Sequence, residues 1–103
     1  MFDLTIDDVL AVYARLKDRY DVTLTNTLAL DDGFTIDCPI IAGRAHGQEL
    51  WLYEDDGLFV LDVMDAERTM GTHWHPADVE SAVADIVEFM EGRSDYTLQP
   101  YSM

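Results

Sequence analysis

Apolar residues alternate along two short runs near the middle of the chain, in the stretch 49–64 that reads ELWLYEDDGLFVLDVM. The two runs are separated by Glu54-Asp55-Asp56-Gly57, and an Asp-Gly pair suits the positive φ angles of a tight hairpin turn. With Asp56 and Gly57 at the centre of the turn, Leu52 faces Leu61. The pattern therefore predicts a β-hairpin, and the rest of the chain is interpreted around it.

The period-2 alternation divides this hairpin into two faces of different chemistry. One face is entirely apolar and consists of Leu50, Leu52, Phe59, Leu61 and Val63. The other mixes aromatic, apolar and acidic residues and consists of Trp51, Tyr53, Leu58, Val60, Asp62 and Met64. We expect helices to cover the first face. The second face is either another core layer or a recognition surface.

Two stretches at the ends of the chain show the three- and four-residue spacing of amphipathic helices. The first spans 5–20, with Thr5 as N-cap and Asp8 three residues later, as in a capping box. Its predicted apolar stripe is Ile6, Val9, Leu10, Tyr13, Leu16 and Tyr20. The second starts at Pro76, with Asp78 in its first turn, and stops at Gly92. Its predicted stripe is Val79, Ala82, Val83, Ile86, Phe89 and Met90.

The residues between the first helix and the hairpin alternate as strands do. A half-buried strand is predicted over 21–30, and a second strand is predicted to start at Phe34. In that second strand the inward-facing residues are even-numbered before Pro39 and odd-numbered after it. This change predicts a bulge or a break at Cys38-Pro39. His46-Gly47 is predicted to be the next two-residue turn.

This order of elements predicts one α+β domain covering residues 1–103. The domain has two layers: a meander of four to five antiparallel strands, with the N-terminal and C-terminal helices on one sheet face. Residues 65–71 are expected to form a turn and a short edge strand. The tail, 94–103, either adds an edge strand or lies loosely on the surface.

The net charge of the chain limits the kinds of molecule that it is expected to bind. Twenty-one acids against six bases give a formal net charge of −15, which repels nucleic acid and anionic membranes. A basic or mixed-charge protein is therefore the expected partner, although such acidity also serves general solvation. The single cysteine, Cys38, fits a reducing compartment. Since the N-terminus lacks the order of a signal peptide, a cytoplasmic protein is expected.

Catalytic and metal-binding motifs are sparse. In an extended segment His73 and His75 project to the same side, a spacing found in metal sites. His46, Cys38 and Asp78 are the residues that would complete such a site. There is no HExxH motif, paired-cysteine spacing or Gly-rich phosphate loop. The sequence therefore favours a non-enzymatic protein without a cofactor and keeps a metal site at His73 and His75 as an alternative.

Acidic and aromatic residues make up the predicted binding surface. The acids are Asp85 and Glu88 on the second helix and Glu54 and Asp55 at the hairpin tip; the aromatics are Trp51, Tyr53 and Trp74. Aromatics rimmed by charge are typical of protein interfaces. We expect an inhibitor of the immunity type or a chaperone that binds a basic protein. The alternatives are a metal-dependent enzyme or metal sensor, and an obligate homodimer built on the aromatic sheet face.

Overall fold

A computed structural model describes residues 3–29, 33, 35–67, 69–93 and 96–100. The described residues form two helices and six strands: α1 (Ile6–Leu16), β1 (Val22–Ala29), β2 (Thr35–Ala45), β3 (Gln48–Asp55), β4 (Leu58–Asp65), β5 (Met70–Trp74), α2 (Val79–Met90) and β6 (Gln99–Pro100). The strands form one sheet in sequence order, and all neighbours are antiparallel. The predicted α+β meander is confirmed.

The sheet has one strand more than the upper end of the prediction. The additional strand comes from the tail, where β6 pairs with the start of β5. The predicted strand start at Phe34 lies outside the described residues, and β2 is described from Thr35 onward. Neither described helix is long and apolar enough to cross a membrane.

The β3–β4 hairpin has the predicted register. Leu52 lies opposite Leu61, and the turn residues Asp56 and Gly57 have φ angles of 53° and 80°. Two consecutive positive φ angles match the twist of the flanking strands, and Asp-Gly adopts them at little cost. The Glu54 carboxylate accepts a hydrogen bond of 2.8 Å from the Gly57 N–H, which fixes the turn further.

The predicted irregularity at Cys38-Pro39 is a β-bulge. Thr25 pairs with Ile40 and Thr27 pairs with Asp37, so two residues of β2 occupy the space opposite one residue of β1. Proline lacks the N–H that a regular ladder needs and is therefore tolerated at such a site.

Helix α1 begins as predicted but presents a different face to the core. The Asp8 carboxylate accepts a hydrogen bond of 2.8 Å from the Thr5 N–H, as a capping box requires. The buried residues of the helix are Val9, Val12 and Leu16, whereas Ile6 and Leu10 are 44% and 39% exposed. The predicted stripe was wrong at these two positions. At 3.6 residues per turn, a helix centred on Val9, Val12 and Leu16 turns Leu10 away from the sheet.

Helix α2 begins later than predicted. Asp78 is its N-cap rather than a first-turn residue, since its carboxylate accepts a 2.8 Å hydrogen bond from the Ser81 N–H. Pro76 consequently precedes the helix. The predicted stop is confirmed: Gly92 has a φ of 72°, and the Arg93 N–H donates to the Glu88 carbonyl at 2.8 Å, the pattern of a Schellman cap.

The two faces of the sheet differ in how they are covered. The main core contains the all-apolar hairpin face together with residues of both helices: Val9, Val12, Leu16, Leu50, Leu52, Phe59, Leu61, Val63, Ala82, Ile86 and Phe89. The opposite face carries a small cluster of buried residues, Ile40, Trp51 and Met64, flanked by the partly buried Cys38, Ala42 and Tyr53. No residue of α1 or α2 belongs to this second cluster.

Candidate functional site

The sheet face opposite the helices, called the open face below, carries a row of side chains across five strands. Cross-strand pairing places Thr23 beside Ala42, Ala42 beside Trp51, Trp51 beside Asp62, and Asp62 beside His73. Because side chains alternate between the two faces of a sheet, these five residues point the same way. At the centre of this row Trp51 is only 7% exposed, with the Asp62 carboxylate beside it, and Tyr53 is the more exposed aromatic residue of the face.

Tyr53 and Asp62 form a partly buried polar pair on this face. The Tyr53 hydroxyl donates a long hydrogen bond of 3.5 Å to the Asp62 carboxylate. Burial, the charges of Asp62 and Asp55 and this hydrogen bond together raise the pKa of Tyr53 to about 12. Burial also raises the pKa of Asp62, opposed by His73, by the Tyr53 hydroxyl and by His75. Asp62 is therefore an incompletely compensated carboxylate that a cation from outside would stabilise.

Four carboxylates toward the hairpin-tip end of the sheet, those of Asp37, Glu54, Asp55 and Asp62, act electrostatically on Tyr53 or on the Cys38 thiol and are called the acidic rim. The pKa of Cys38 is raised, and burial is the largest cause. The remaining causes are three of the rim carboxylates: Glu54, Asp55 and Asp37. A raised pKa keeps the thiol protonated at neutral pH, which is the reverse of what a cysteine nucleophile needs. The same carboxylates make this part of the open face attractive to cations.

The two histidines of the metal hypothesis do lie together. The rings of His73 and His75 have centroids 5.9 Å apart and are steeply inclined to each other. His75 Nδ1 lies 2.9 Å from the Phe59 carbonyl oxygen, and since a carbonyl only accepts, this nitrogen is the protonated one. In the described part of the chain, no group of three or more His, Cys, Asp or Glu side chains is arranged to hold a metal ion. The metal site stays a prediction.

The predicted binding residues are divided between the two sides of the molecule. Trp51, Tyr53 and Asp55 lie on the open face, whereas Glu54, opposite Phe59 at the hairpin tip, belongs by alternation to the other face. Trp74 instead packs with the helix-covered core. Its Nε1 donates a 2.8 Å hydrogen bond to Asp85.

The acids of α2 have structural partners that the sequence did not reveal. Glu80 forms an ion pair with Arg15 of α1 at 2.7 Å, and Glu91 accepts a hydrogen bond from the Tyr20 hydroxyl. Together with the bond from Trp74 to Asp85, these contacts tie α2 to α1 and β5. Acids that oppose the helix dipole in the last turn of α2 are thus explained in part by tertiary contacts, and Glu88 is exposed.

Asp85, which accepts a hydrogen bond from Trp74, and Glu88, which is exposed, are a matched pair for measuring how much such a contact stabilises the fold. Asp85→Ala is expected to lower the free energy of unfolding by about 1–2 kcal/mol, because the partly buried Trp74 N–H loses its acceptor. Glu88→Ala should change it by less than about 0.5 kcal/mol, as is usual for an exposed residue. Urea denaturation followed by tryptophan fluorescence measures both. Equal effects would show that the contact between Asp85 and Trp74 is not structural.

The raised pKa of Asp62 predicts a specific pH dependence. A carboxyl whose pKa is higher in the folded than in the unfolded chain contributes stability at low pH, which is lost as pH rises through the folded-state pKa. Asp62→Asn is therefore expected to raise the urea midpoint at pH 7. This difference should shrink as pH falls through the folded-state pKa of Asp62, above its ordinary value of 3.8.

Asp65 is the control, because its pKa is shifted in the opposite direction to that of Asp62. Hydrogen bonds from the Met70 N–H and from Thr69 lower its pKa, so its contribution to stability is present near neutral pH and lost as pH falls through the lowered value. Asp65→Asn should therefore reduce the urea midpoint at pH 7. Parallel pH profiles for the Asp62→Asn and Asp65→Asn variants would contradict the described environments of both carboxyls.

A pocket of about 360 Å³ lies at the other end of the open face, near the start of β1. Its lining residues are Asp21, Thr23, Ala42, Gly43, Arg44, Glu49 and Trp51. Glu49 is only 7% exposed, and its carboxylate pairs with Arg44 at 2.9 Å. The turn predicted at His46-Gly47 implies that Arg44 lies opposite Glu49, but nothing in the sequence indicated the pocket, because its walls come from three strands.

The open face thus has two distinct features, the acidic rim near the hairpin tip and the pocket beside β1. Searches against protein families, curated proteins and solved structures found no match to this chain.

Proposed function

We propose that this chain is a non-enzymatic docking domain that binds a basic or mixed-charge protein through its open face. The observation that supports this most directly is the half-buried carboxylate of Asp62, whose pKa is raised by burial on a sheet face to which neither helix contributes a packed residue. A lysine or arginine of a partner placed beside Asp62 would compensate its charge. Such complementarity stabilises an interface and sets its register.

The surroundings of Asp62 suit an interface of this kind. Tyr53 offers an aromatic ring on which a guanidinium can stack, and the acidic rim adds further carboxylates around it. Interfaces typically combine a partly apolar aromatic centre with a charged rim. The net charge of −15 would also steer a basic partner toward the domain and accelerate association.

Two biological roles fit such a domain in the cytoplasm. One is an inhibitor of the immunity type, which neutralises a basic toxin or enzyme. The other is a chaperone that masks a basic protein until it is exported. Both roles benefit from fast, charge-steered association.

A capture experiment tests the proposal. The domain is immobilised, incubated with lysate of its native cells at about 0.15 M salt, and eluted at high salt, since screening weakens contacts between exposed charges. We expect a stoichiometric basic protein in the high-salt fraction. Retention of no basic protein, or retention that salt does not affect, would overturn the proposal.

The alternatives are decided by two measurements on the same preparation. Sedimentation of the wild-type chain and of the Trp51→Ala variant tests an obligate homodimer, which requires a dimeric wild type weakened by the substitution. Elemental analysis of untagged protein purified without chelator tests the site at His73 and His75. Neither experiment depends on the capture result.

A further inference from the structure

Strand β1 forms an edge of the sheet, with β2 as its one neighbour among the described strands. Its eight residues, VTLTNTLA, include no charged residue and no proline. The extra residue of the bulge belongs to β2, so β1 itself continues without an insertion. Natural proteins usually protect edge strands with charges, prolines or bulges, and β1 has none of these within its length.

The turn at His46-Gly47 identifies which β2 residues point toward β1. Ala45 and Gln48 close this two-residue turn, and the closing pair of such a hairpin is hydrogen-bonded. Because the direction of the backbone groups alternates along a strand, Ala45 and the odd-numbered residues before it point to β3. Even-numbered residues, including Ile40 and Ala42, then point to β1.

The β1 residues opposite these positions, Thr23 and Thr25, therefore direct their N–H and C=O groups into the sheet. The alternate residues, Leu24 and Asn26, direct theirs outward along the edge. Val22 agrees with this assignment, because its N–H donates at 2.9 Å to a carbonyl of the preceding turn rather than to β2. The outward groups form a row on which another extended chain can hydrogen-bond.

The pocket beside Trp51 adjoins this edge. Asp21, just before β1, and Thr23, near the start of β1, form one side of it, and Trp51 and Glu49 on β3 form another. Two carboxylates and the Arg44 guanidinium leave a net negative lining. A volume of about 360 Å³ lies at the lower end of the range for ligand pockets. It suits one long basic side chain that reaches the small exposed part of the Trp51 ring, which is 7% exposed.

From these observations we infer that the partner binds by strand addition: an extended segment pairs with the outward edge of β1 and places a lysine or arginine beside Asp21 and Trp51. This inference rests on the proposed function and specifies its mode of recognition. In strand addition the backbone hydrogen bonds supply affinity, and pockets for alternate side chains supply specificity. A second copy of this chain is a poorer occupant, because two molecules of charge −15 repel each other.

The test uses a blocked octapeptide of alternating arginine and threonine as the probe. Its control is the same peptide N-methylated on alternate residues along the pairing edge, which keeps the charge but removes the donors. We expect the unmodified peptide to bind at least tenfold more tightly. Hydrogen exchange at the Leu24 and Asn26 amides should slow at least tenfold with that peptide alone.

Substitutions at the pocket provide a second measurement. Asp21→Lys should lower the affinity for the unmodified peptide at least tenfold. Asp18→Lys, an equal charge change in the turn after α1, should lower it by less than threefold.

Equal binding of both peptides without amide protection would overturn strand addition and leave the docking function to the capture experiment. Failure of the unmodified peptide to bind would overturn it equally. Protection of the Leu24 and Asn26 amides that appears with increasing protein concentration alone would identify a second copy as the occupant and would also overturn it.

Discussion

Replacing Phe59 by alanine is expected to lower the free energy of unfolding by about 3–5 kcal/mol. The Phe59 side chain is 0% exposed and packs in the core shared by the sheet and both helices. Its removal loses a large buried apolar surface and leaves a cavity that the surrounding strands cannot readily fill. For a domain of this size, whose total stability is typically about 5–15 kcal/mol, the loss is severe.

Val60 is the matched control, since it is the next residue of β4 and points to the open face. It lies opposite Tyr53 and is partly exposed, so Val60→Ala should cost about 1 kcal/mol or less. Urea denaturation monitored by far-UV circular dichroism measures both variants. If Val60→Ala cost as much as Phe59→Ala, Val60 would be packed as tightly as the helix-covered core, and the area around Tyr53 would not be available as a docking surface.

The β3–β4 hairpin was predictable because two independent signals coincide there. The alternation of apolar residues specifies the faces, and Asp56-Gly57 specifies a turn with two positive φ angles, so one register satisfies both. The bulge at Pro39 was predictable for a similar reason. The inward-facing residues switch from even to odd numbers there, and the proline at that position has no N–H for the ladder. In each case local chemistry determines the geometry.

The face of α1 and the roles of the α2 acids depend on contacts distant in sequence. Apolar residues occupy more than half a turn of α1, so the pattern alone allowed Leu10 or Val12 to face the core, and packing against the sheet selects Val12. Asp85 looked like an exposed acid because its partner, Trp74, lies on a neighbouring strand. Predicting the candidate site would have required both the cross-strand register and the knowledge of which sheet face the helices cover.

Reversing two charges of the acidic rim is expected to have the largest effect on binding. The double variant Asp37→Lys/Asp55→Lys changes two exposed carboxylates at the hairpin-tip end of the open face. We expect the affinity for the partner isolated by capture to fall at least tenfold, about 1.4 kcal/mol. The salt dependence of the association rate should weaken as well, because rim charges act mainly on association.

The control is Asp18→Lys/Glu88→Lys, which raises the net charge from −15 to −11, as the first double variant does, since each substitution adds two charges. Asp18 and Glu88 are exposed and lie near the C-terminal ends of α1 and α2, where a lysine favours the helix dipole. Isothermal titration and stopped-flow association compare the two proteins at the same net charge. A face-specific interaction requires the rim variant to lose much more affinity than the control, because only the rim variant removes carboxylates that contact the partner. Equal losses would mean that the partner responds to overall acidity, and the open face would then have no particular role in docking.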